Sequence, residues 1–153
     1  MMANSRSVRV EGLKEIDRAL AEIGRRATAK NVGRRALKTA AAPIDRDWRA
    51  KARVDTGALR ESGGISTKLT RRQKAKHKKT APVEMHVGPG GLAQAITEEF
   101  GTDDQSPHPF MRPAWDAHKH DLPSVIGREL WAEIEKAAQR AARKTARLAK
   151  AGG

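Results

Sequence analysis

The chain has 153 residues, of which 31 are lysine or arginine and 18 are acidic, giving a formal net charge of +13, and only 38% are hydrophobic. It contains no cysteine, which excludes disulfide frameworks and thiol chemistry, and no apolar run approaches the ~18 residues of a membrane-spanning helix. The length predicts one domain, and the low apolar share, much of it alanine, predicts a thin core. The first ten residues lack the apolar run of a signal peptide. The charge indicates a polyanionic partner, either nucleic acid or an acidic protein surface.

Two helices are predicted to open the chain. In the first, over residues 12–24, apolar residues recur every three or four positions and so share one helical face. A second helix is predicted to follow a junction around residues 28–33. Pro43 lies inside it, where the loss of a backbone donor is expected to kink or restart the helix. The apolar stripe of this second helix is predicted to comprise Val32, Leu37, Ala40 or Ala41, Ile44 and Trp48.

Residues 55–62 predict a corner between a helix and a strand, with one short helical turn inside it. The side chain of Asp55 or Thr56 is expected to accept hydrogen bonds from free backbone amides, and the glycine that follows is suited to a positive φ. Arg60 is expected to pair with an acidic neighbour, for which Glu99 is the candidate.

Alternating apolar and polar residues predict two short strands, at residues 65–69 and 83–87, and the glycine-rich residues 88–91 predict the turn that ends the second strand. Between the strands, residues 71–79 contain six basic residues and no acid. This composition predicts a loop, a hairpin tip or a disordered arm. Residues 93–100 suit either a helix or a strand.

From Pro113 to Lys150 the pattern predicts a helix in two pieces, because Pro123 is expected to interrupt or restart it. The last part carries no acid after Glu135. Its basic residues exceed what the helix dipole attracts to a C-terminus. We therefore expect the end of the chain to contact a polyanion.

Residues 98–114, called here the proline-rich segment, contain both phenylalanines and three of the seven prolines of the chain. The two aromatic side chains are expected to pin the segment to the core while the prolines stiffen it. The segment lacks a nucleophile paired with a base, so we expect it to dock on other polypeptides rather than to catalyse a reaction. A rigid surface loop with structural prolines is the alternative. The residues predicted to contact subunits or partners are Arg60, Glu99, Phe100, Thr102, His108, Phe110 and Arg112.

Two basic regions are predicted to contact DNA or an acidic protein surface. No aromatic residue is interleaved with the first, so base stacking is not expected and any DNA contact would be independent of sequence. A solvated loop is the alternative for residues 71–79. The predicted contact residues are Arg71, Arg72, Lys74, Lys76, Lys78, Lys79, Arg140, Arg143, Lys144 and Arg147.

No catalytic, cofactor or metal site is predicted. His118 and His120, beside Asp116 and Asp121, lie two positions apart on a helix and so face different ways, which argues against a shared metal ion. Residues 88–91 lack the following Gly-Lys-Ser/Thr of a phosphate-binding loop.

The motifs follow one another in a specific order. A helical pair precedes the corner at residues 55–62, two strands come next, and Glu-Phe-Gly-Thr at residues 99–102 and Pro-His-Pro-Phe-Met-Arg-Pro-Ala at residues 107–114 lead to a C-terminal helix. Over residues 11–135 this order resembles the HK97 gp10-like family of tailed-bacteriophage neck and tail-completion proteins.

The resemblance implies an α+β fold, in which a small, mostly antiparallel sheet packs against N-terminal helices and a long C-terminal helix. It also implies an HK97 gp10-like domain at residues 1–135 that includes a basic loop at residues 71–79. A basic helical extension at residues 136–153 would follow, and both basic regions depart from the family pattern.

The resemblance further implies a structural virion protein of a long-tailed phage or prophage, assembled in the bacterial cytoplasm and located at the head–tail junction or the top of the tail. Its expected partners are copies of itself in a ring, by analogy a hexamer, together with a connector or head-closure protein and tail-terminator or tail-tube proteins. DNA in the lumen is a further expected partner, whereas an enzymatic activity, a cofactor and a membrane contact are not expected. The alternative is a stand-alone nucleic-acid-binding protein without sequence specificity.

Overall fold

A computed structural model describes residues 26–153 of the chain. The described part contains six helices and two strands. The helices are α1 (Arg26–Lys51), α2 (Ala58–Glu61), α3 (Arg71–Lys76), α4 (Ala93–Phe100), α5 (Met111–His118) and α6 (Leu122–Ala151), and the strands are β1 (Gly64–Ser66) and β2 (His86–Gly88). The helix predicted at residues 12–24 lies outside the described residues. Among the helices described, none is both long enough and apolar enough to cross a membrane.

Helix α1 is the centre of the fold, because it contacts α5, α6 and both strands. One buried residue recurs at every fourth position along it, and these residues are Val32, Ala36, Ala40, Ile44, Trp48 and Ala52, the last just past the helix end. Ala36 is buried where Leu37 was predicted, and Leu37 is only half-buried. A stripe with three alanines lets the neighbouring elements approach the helix axis closely.

The predicted junction at residues 28–33 is wrong, since α1 runs through it and continues past Pro43 without a restart. Burial of Val32 and Ala36 on either side of Gly33 explains the continuity, because tertiary packing outweighs the intrinsic cost of one glycine. Gly33 also faces Val83, whose methyl carbons would lie 3.5 Å from a Cβ at this position.

The two strands pair antiparallel, with Ile65 opposite Val87 and Ser66 opposite His86. This confirms a small antiparallel sheet packed against helices and hence the predicted α+β class. Each strand has only three residues, fewer than the alternating pattern predicted. The first strand ends early because the chain turns towards Thr70, which begins a further helix.

The prediction of a loop, hairpin tip or disordered arm at residues 71–79 is wrong for its first six residues, which form helix α3. Thr70 and Gln73 form a capping box: the Thr70 side chain accepts from the Gln73 amide at 3.3 Å, and the Gln73 side chain accepts from the Thr70 amide at 3.1 Å. This reciprocal pair satisfies two backbone donors at the start of the helix. Residues 93–100, left open between helix and strand, form α4.

The core formed by the described residues is thin, as the composition predicted: six of the twelve buried hydrophobic residues among them are alanines. Its larger cluster is organised around Trp48 and Phe110, whose ring centroids lie 6.0 Å apart. A smaller cluster joins Val32 of α1 to Ile134 and Ala137 of α6. The two clusters therefore fasten α5 and α6 to different parts of α1.

The C-terminal region forms two helices, α5 and α6, with Pro123 in the first turn of α6, as predicted. The last buried residue of α6 is Ala137, and every residue from Ala138 to Gly153 is exposed. At 1.5 Å per residue, about 20 Å of helix therefore extends beyond the packed core.

Candidate interaction surface

Glu99 fixes the proline-rich segment to the start of helix α5. Its buried carboxylate accepts hydrogen bonds from the backbone N–H groups of Phe110 and Met111, both at 2.9 Å, and of Arg112, at 3.0 Å. These amides lie at the N-terminus of α5, where they have no partner within their own helix. A carboxylate from α4 therefore fills the anion site that the helix N-terminus provides.

Arg112 completes this arrangement from the other side. Its Nε donates to Glu99 at 2.8 Å, its Nη2 donates to the Glu99 carbonyl oxygen at 2.9 Å, and its guanidinium lies 4.9 Å from the ring centroid of Phe100. Burial raises the pKa of Glu99, but the hydrogen bonds from Met111, Phe110 and Arg112 outweigh burial and hold it below its ordinary value. The carboxylate is therefore ionised at neutral pH.

The turn after α4 is built from backbone contacts that only glycine permits. Gly101 has a φ of 74°, and a Cβ there would lie 2.7 Å from the Gln105 carbonyl oxygen. The Thr102 amide donates to the Gln105 carbonyl at 2.9 Å, and the His108 amide donates to the Glu98 carbonyl at 2.7 Å. These contacts hold the segment in one conformation.

The two phenylalanines of the segment have opposite environments. Phe110 is 1% exposed and packs on Trp48, as predicted, whereas Phe100 is 63% exposed, so the expectation that both would anchor the core is wrong. The reason is the orientation of α4, which buries Ala95 and Glu99 on one face and leaves Phe100 on the other.

Phe100 belongs to an apolar stripe, made of Leu92, Ile96 and Phe100, which we call the α4 stripe. Its residues are spaced by four positions, and they are 38%, 50% and 63% exposed. Residues spaced by four lie one above the other on a helix. Aligned large apolar residues on an exposed face are typical of a surface that another polypeptide covers.

Of the other predicted contact residues, Thr102 and His108 are exposed in the turn, and the His108 Nδ1 lies 3.4 Å from Nη1 of Arg53. Arg60 does not pair with Glu99, so that prediction is wrong. Its guanidinium instead donates to the carbonyl oxygen of Ala52, from Nε at 3.1 Å and from Nη2 at 3.0 Å. Arg60 thus satisfies carbonyl groups at the C-terminus of α1, where a cation also complements the helix dipole.

The corner that carries Arg60 has the predicted local structure. Gly57 has a φ of 80°, and Thr56 Oγ1 accepts from the Ala58 amide at 3.3 Å. Ser62 then joins the corner to the glycine-rich turn, because its hydroxyl donates to the Leu59 carbonyl at 2.7 Å and accepts from the Gly90 amide at 3.0 Å.

The exposed part of α6 separates its charges from its small residues. At 3.6 residues per turn, the basic residues fall within an arc of roughly 120°, and the opposite face is mostly alanine. Near the core, Glu133 pairs with Arg35 of α1 at 2.8 Å, and its other oxygen accepts from Lys136 at 3.3 Å. The basic residues of this face are Lys136, Arg140, Arg143, Lys144, Arg147 and Lys150.

The six basic residues predicted between the strands are also exposed to solvent. Four of them lie on α3. All residues from Arg71 to Thr80 are exposed. Within the described part of the chain, none of the six forms a salt bridge. The structure therefore presents exposed positive residues in two parts of the chain, on α3 with the residues after it and on α6.

One arrangement escaped the sequence analysis. His77, Glu84 and His86 each place a potential ligand atom within 4.8 Å of the other two. The alternation of Glu84 and His86 along the second predicted strand was the available signal, since alternate residues share one face. His77 lies seven residues before Glu84, outside the strand pattern, and the fold brings its ring against that of His86.

Comparison with known proteins identifies one family. The family model described as "Bacteriophage HK97-gp10, putative tail-component" matches residues 14–98. No curated protein and no solved structure gives a significant match.

Proposed function

The chain belongs to the HK97 gp10-like family of bacteriophage tail-component proteins, and from this premise we propose that it is a ring-forming neck or tail-completion adaptor at the head–tail junction. Family membership makes it a structural component of the phage virion. In the proposed role it acts through complementary surfaces and carries out no reaction.

The observation that carries the proposal is the α4 stripe beside a rigid proline-rich segment. Leu92, Ile96 and Phe100 expose apolar surface to solvent, and covering that surface with another polypeptide would be favourable. The adjoining turn is held by Gly101 and the Glu99–Arg112 pair, so little conformational freedom would be lost when a partner covers it. If this surface docks on a different face of the next copy, the contact repeats head to tail, and it closes into a ring where the rotation between copies divides a full turn.

The thin core supports assembly as well. Half of the buried hydrophobic residues in the described part of the chain are alanines, which bury little area each. Contacts between copies would add the missing buried surface, and oligomerisation stabilises the folded state by mass action. A hexamer is the copy number that the family resemblance favours. The faces of such a ring would meet a connector or head-closure protein on one side and tail-terminator or tail-tube proteins on the other.

We also propose that the folded domain extends beyond the matched residues to about residue 135, with residues 136–153 as a separate extension. Phe110, Ala114 and Ile134 all lie after the end of the family match, yet they pack in the same clusters as α1. Burial stops at Ala137. The extension and α3 would direct their basic residues towards DNA in the lumen or towards acidic faces of neighbouring rings.

Light scattering of the purified full chain, coupled to gel filtration and followed by negative-stain microscopy, tests the ring. We expect closed rings, either from the chain alone or after addition of the connector and tail proteins encoded beside it. Mass spectrometry of purified virions should detect the chain. Persistence of the monomer with every neighbouring protein, or absence from virions, would overturn the proposal.

The basic surfaces favour a second candidate, a stand-alone nucleic-acid-binding protein. The exposed cations of α6 and α3 suit phosphate contacts that are independent of sequence. The same light-scattering experiment distinguishes the two, because a monomer whose mass increases only when DNA is added at ~150 mM salt favours the second candidate. Replacing the six basic residues of residues 71–79 with serine should then flatten the salt dependence of DNA binding, and an unchanged slope would exclude that surface.

A further inference from the structure

His77, Glu84 and His86 form a compact cluster between α3 and β2. His77 is the residue at which α3 ends, and His86 is the first residue of β2. The His77 Nε2 lies 2.6 Å from the Glu84 carboxylate, and the two imidazole rings meet edge to face with centroids 5.3 Å apart. In the part of the chain that the structure describes, this is the group of three such side chains whose ligand atoms come together.

We propose that these three side chains bind a divalent transition-metal ion, with Zn²⁺ as the best match. Two imidazoles and one carboxylate are a ligand set that zinc accepts, and three protein ligands leave a fourth position for water or for a group from a partner. The softer thiolate-binding ions are disfavoured because the chain has no cysteine.

The geometry requires little movement. Ligands about 2.0–2.1 Å from a tetrahedral zinc ion are roughly 3.3 Å from one another. The ligand atoms of the cluster already lie within 4.8 Å, so rotations of exposed and half-buried side chains suffice. The His77–Glu84 hydrogen bond would be exchanged for two bonds to the metal.

The surroundings of Glu84 prepare its carboxylate for this role. Its Oε1 accepts from the backbone amides of Thr80 at 2.7 Å and Ala81 at 3.1 Å, which fixes the carboxylate and leaves Oε2 towards the histidines. Groups that hold a ligand in this way orient it for the metal.

The neighbouring cationic side chains weaken metal binding. The cleft around the cluster is also lined by Arg34, Lys68, Lys74 and Lys79. Their repulsion should keep the affinity below that of a closed four-ligand zinc site. Binding would tie the end of α3 to β2, so the metal would fix the direction in which the basic residues of α3 point.

Metal titration of the tag-free full chain, after treatment with a chelator, tests the site. We expect one Zn²⁺ per chain by calorimetry, a visible absorption band of tetrahedral type when Co²⁺ is used, and a Tm raised by about 5–10 °C at a Zn²⁺ concentration a hundredfold above Kd. No binding, or binding with neither a Co²⁺ band nor a Tm shift, would overturn the proposal.

Variants assign the ligands. H86Q and E84Q should each weaken Zn²⁺ binding at least tenfold, while H120Q, which changes an exposed histidine outside the cluster, should bind as the parent does. Circular dichroism verifies that each variant is folded, and H77Q, which changes the most exposed ligand, replaces E84Q if that variant unfolds. Equal affinities in H86Q, H77Q and H120Q would show that the cluster is not the site.

Discussion

At the scale of single residues, Glu99 determines the geometry of the proposed docking surface. Its carboxylate accepts hydrogen bonds from three backbone amides and one guanidinium group, and all of these donors lie at the start of α5. The α4 stripe ends one residue later, at Phe100. The position of the stripe relative to α5 therefore depends on one carboxylate.

We predict that E99Q destabilises the folded chain by about 2–3 kcal/mol, because an amide accepts weaker hydrogen bonds than a carboxylate and its NH₂ group faces backbone donors. Urea unfolding followed by circular dichroism measures the change. E61Q is the matched control, since Glu61 is an exposed glutamate on a helix, and its substitution should change stability by less than about 0.5 kcal/mol.

The effect of E99Q should depend on pH in a defined direction. The pKa of Glu99 is lower in the folded chain than the ordinary value of 4.5 for a glutamate side chain. Its ionisation therefore stabilises the fold fully above that value, and the stabilisation is lost as pH falls through the folded pKa. The difference between the parent and E99Q should shrink below pH 4.5; a difference that stays constant down to acid unfolding would contradict this account.

Gly101 is the second residue on which the surface depends. We predict that G101A destabilises the fold by about 1–3 kcal/mol, because alanine is strained at a φ of 74° and its Cβ would meet the Gln105 carbonyl oxygen. G127A is the control within α6, where a Cβ meets nothing within 4 Å. It should stabilise the chain by about 0.5–1 kcal/mol. Thermal unfolding of both variants measures the contrast.

At the scale of elements, α6 consists of two parts that differ in their packing. Up to Ala137 it packs on α1, and beyond that residue it is exposed on all sides. Isolated helices of this length are marginal in water, since most helical stability comes from packing. The outer part of α6 instead continues a helix whose earlier part is packed on α1, and its basic arc is the surface proposed above for a polyanionic partner.

We predict that truncation after Ala138 leaves the Tm within about 2 °C of the parent, because it removes no buried side chain. It should lower the slope of log K against log salt for duplex DNA by roughly 0.9 for each lost phosphate contact. Fluorescence anisotropy at several salt concentrations measures the slope.

Substitution of the arginines and lysines of residues 140–147 by glutamine should reproduce the effect of truncation, whereas substitution of the alanines on the opposite face should not. If neither the truncation nor the glutamine variant changes the slope of log K against log salt, α6 does not contact DNA. An acidic protein partner would then remain for this helix.

At the scale of the whole molecule, assembly should be separable from folding. We predict that F100S leaves the free energy of unfolding of the monomer, measured at a concentration too low for rings to form, within about 0.5 kcal/mol of the parent, because Phe100 is 63% exposed. At higher concentration the same variant should fail to form rings. V54S is the matched control, since Val54 is exposed to a similar degree, 60%, and lies outside the α4 stripe. Light scattering reports assembly, and intact rings of F100S would show that the stripe is not the contact.

The sequence was sufficient to predict features that depend on local periodicity or local stiffness. The four-residue spacing of Ile44 and Trp48 predicted α1, and Pro123 marked the start of α6. The corner around Gly57 was likewise predictable, because its φ and its Thr56 hydrogen bond involve adjacent residues. These interactions need no information about distant parts of the chain.

The features that were not predictable depend on contacts distant in sequence. Arg60 had several possible acceptors, and its capture by the Ala52 carbonyl requires the end of α1 to be in place. Phe100 is exposed because the hydrogen bonds of Glu99 turn the opposite face of α4 towards α5. The residues around Phe100 do not predict this orientation. Helix α3 is the exception, because its Thr70–Gln73 capping box joins residues only three apart in sequence, whereas the loop prediction rested on charge alone.

The helix that extends past the core has a consequence for avidity. In a closed ring each copy would hold one such arm, so phosphate contacts too weak for a single arm would act together at a high effective concentration. Rings should accordingly bind DNA far more tightly than dissociated subunits, such as those of the F100S variant. Their DNA affinity should also fall more steeply as salt is added. The affinity of the chain for DNA would then depend on its state of assembly. Free subunits would bind host DNA only weakly and would dissociate from it before they join a virion.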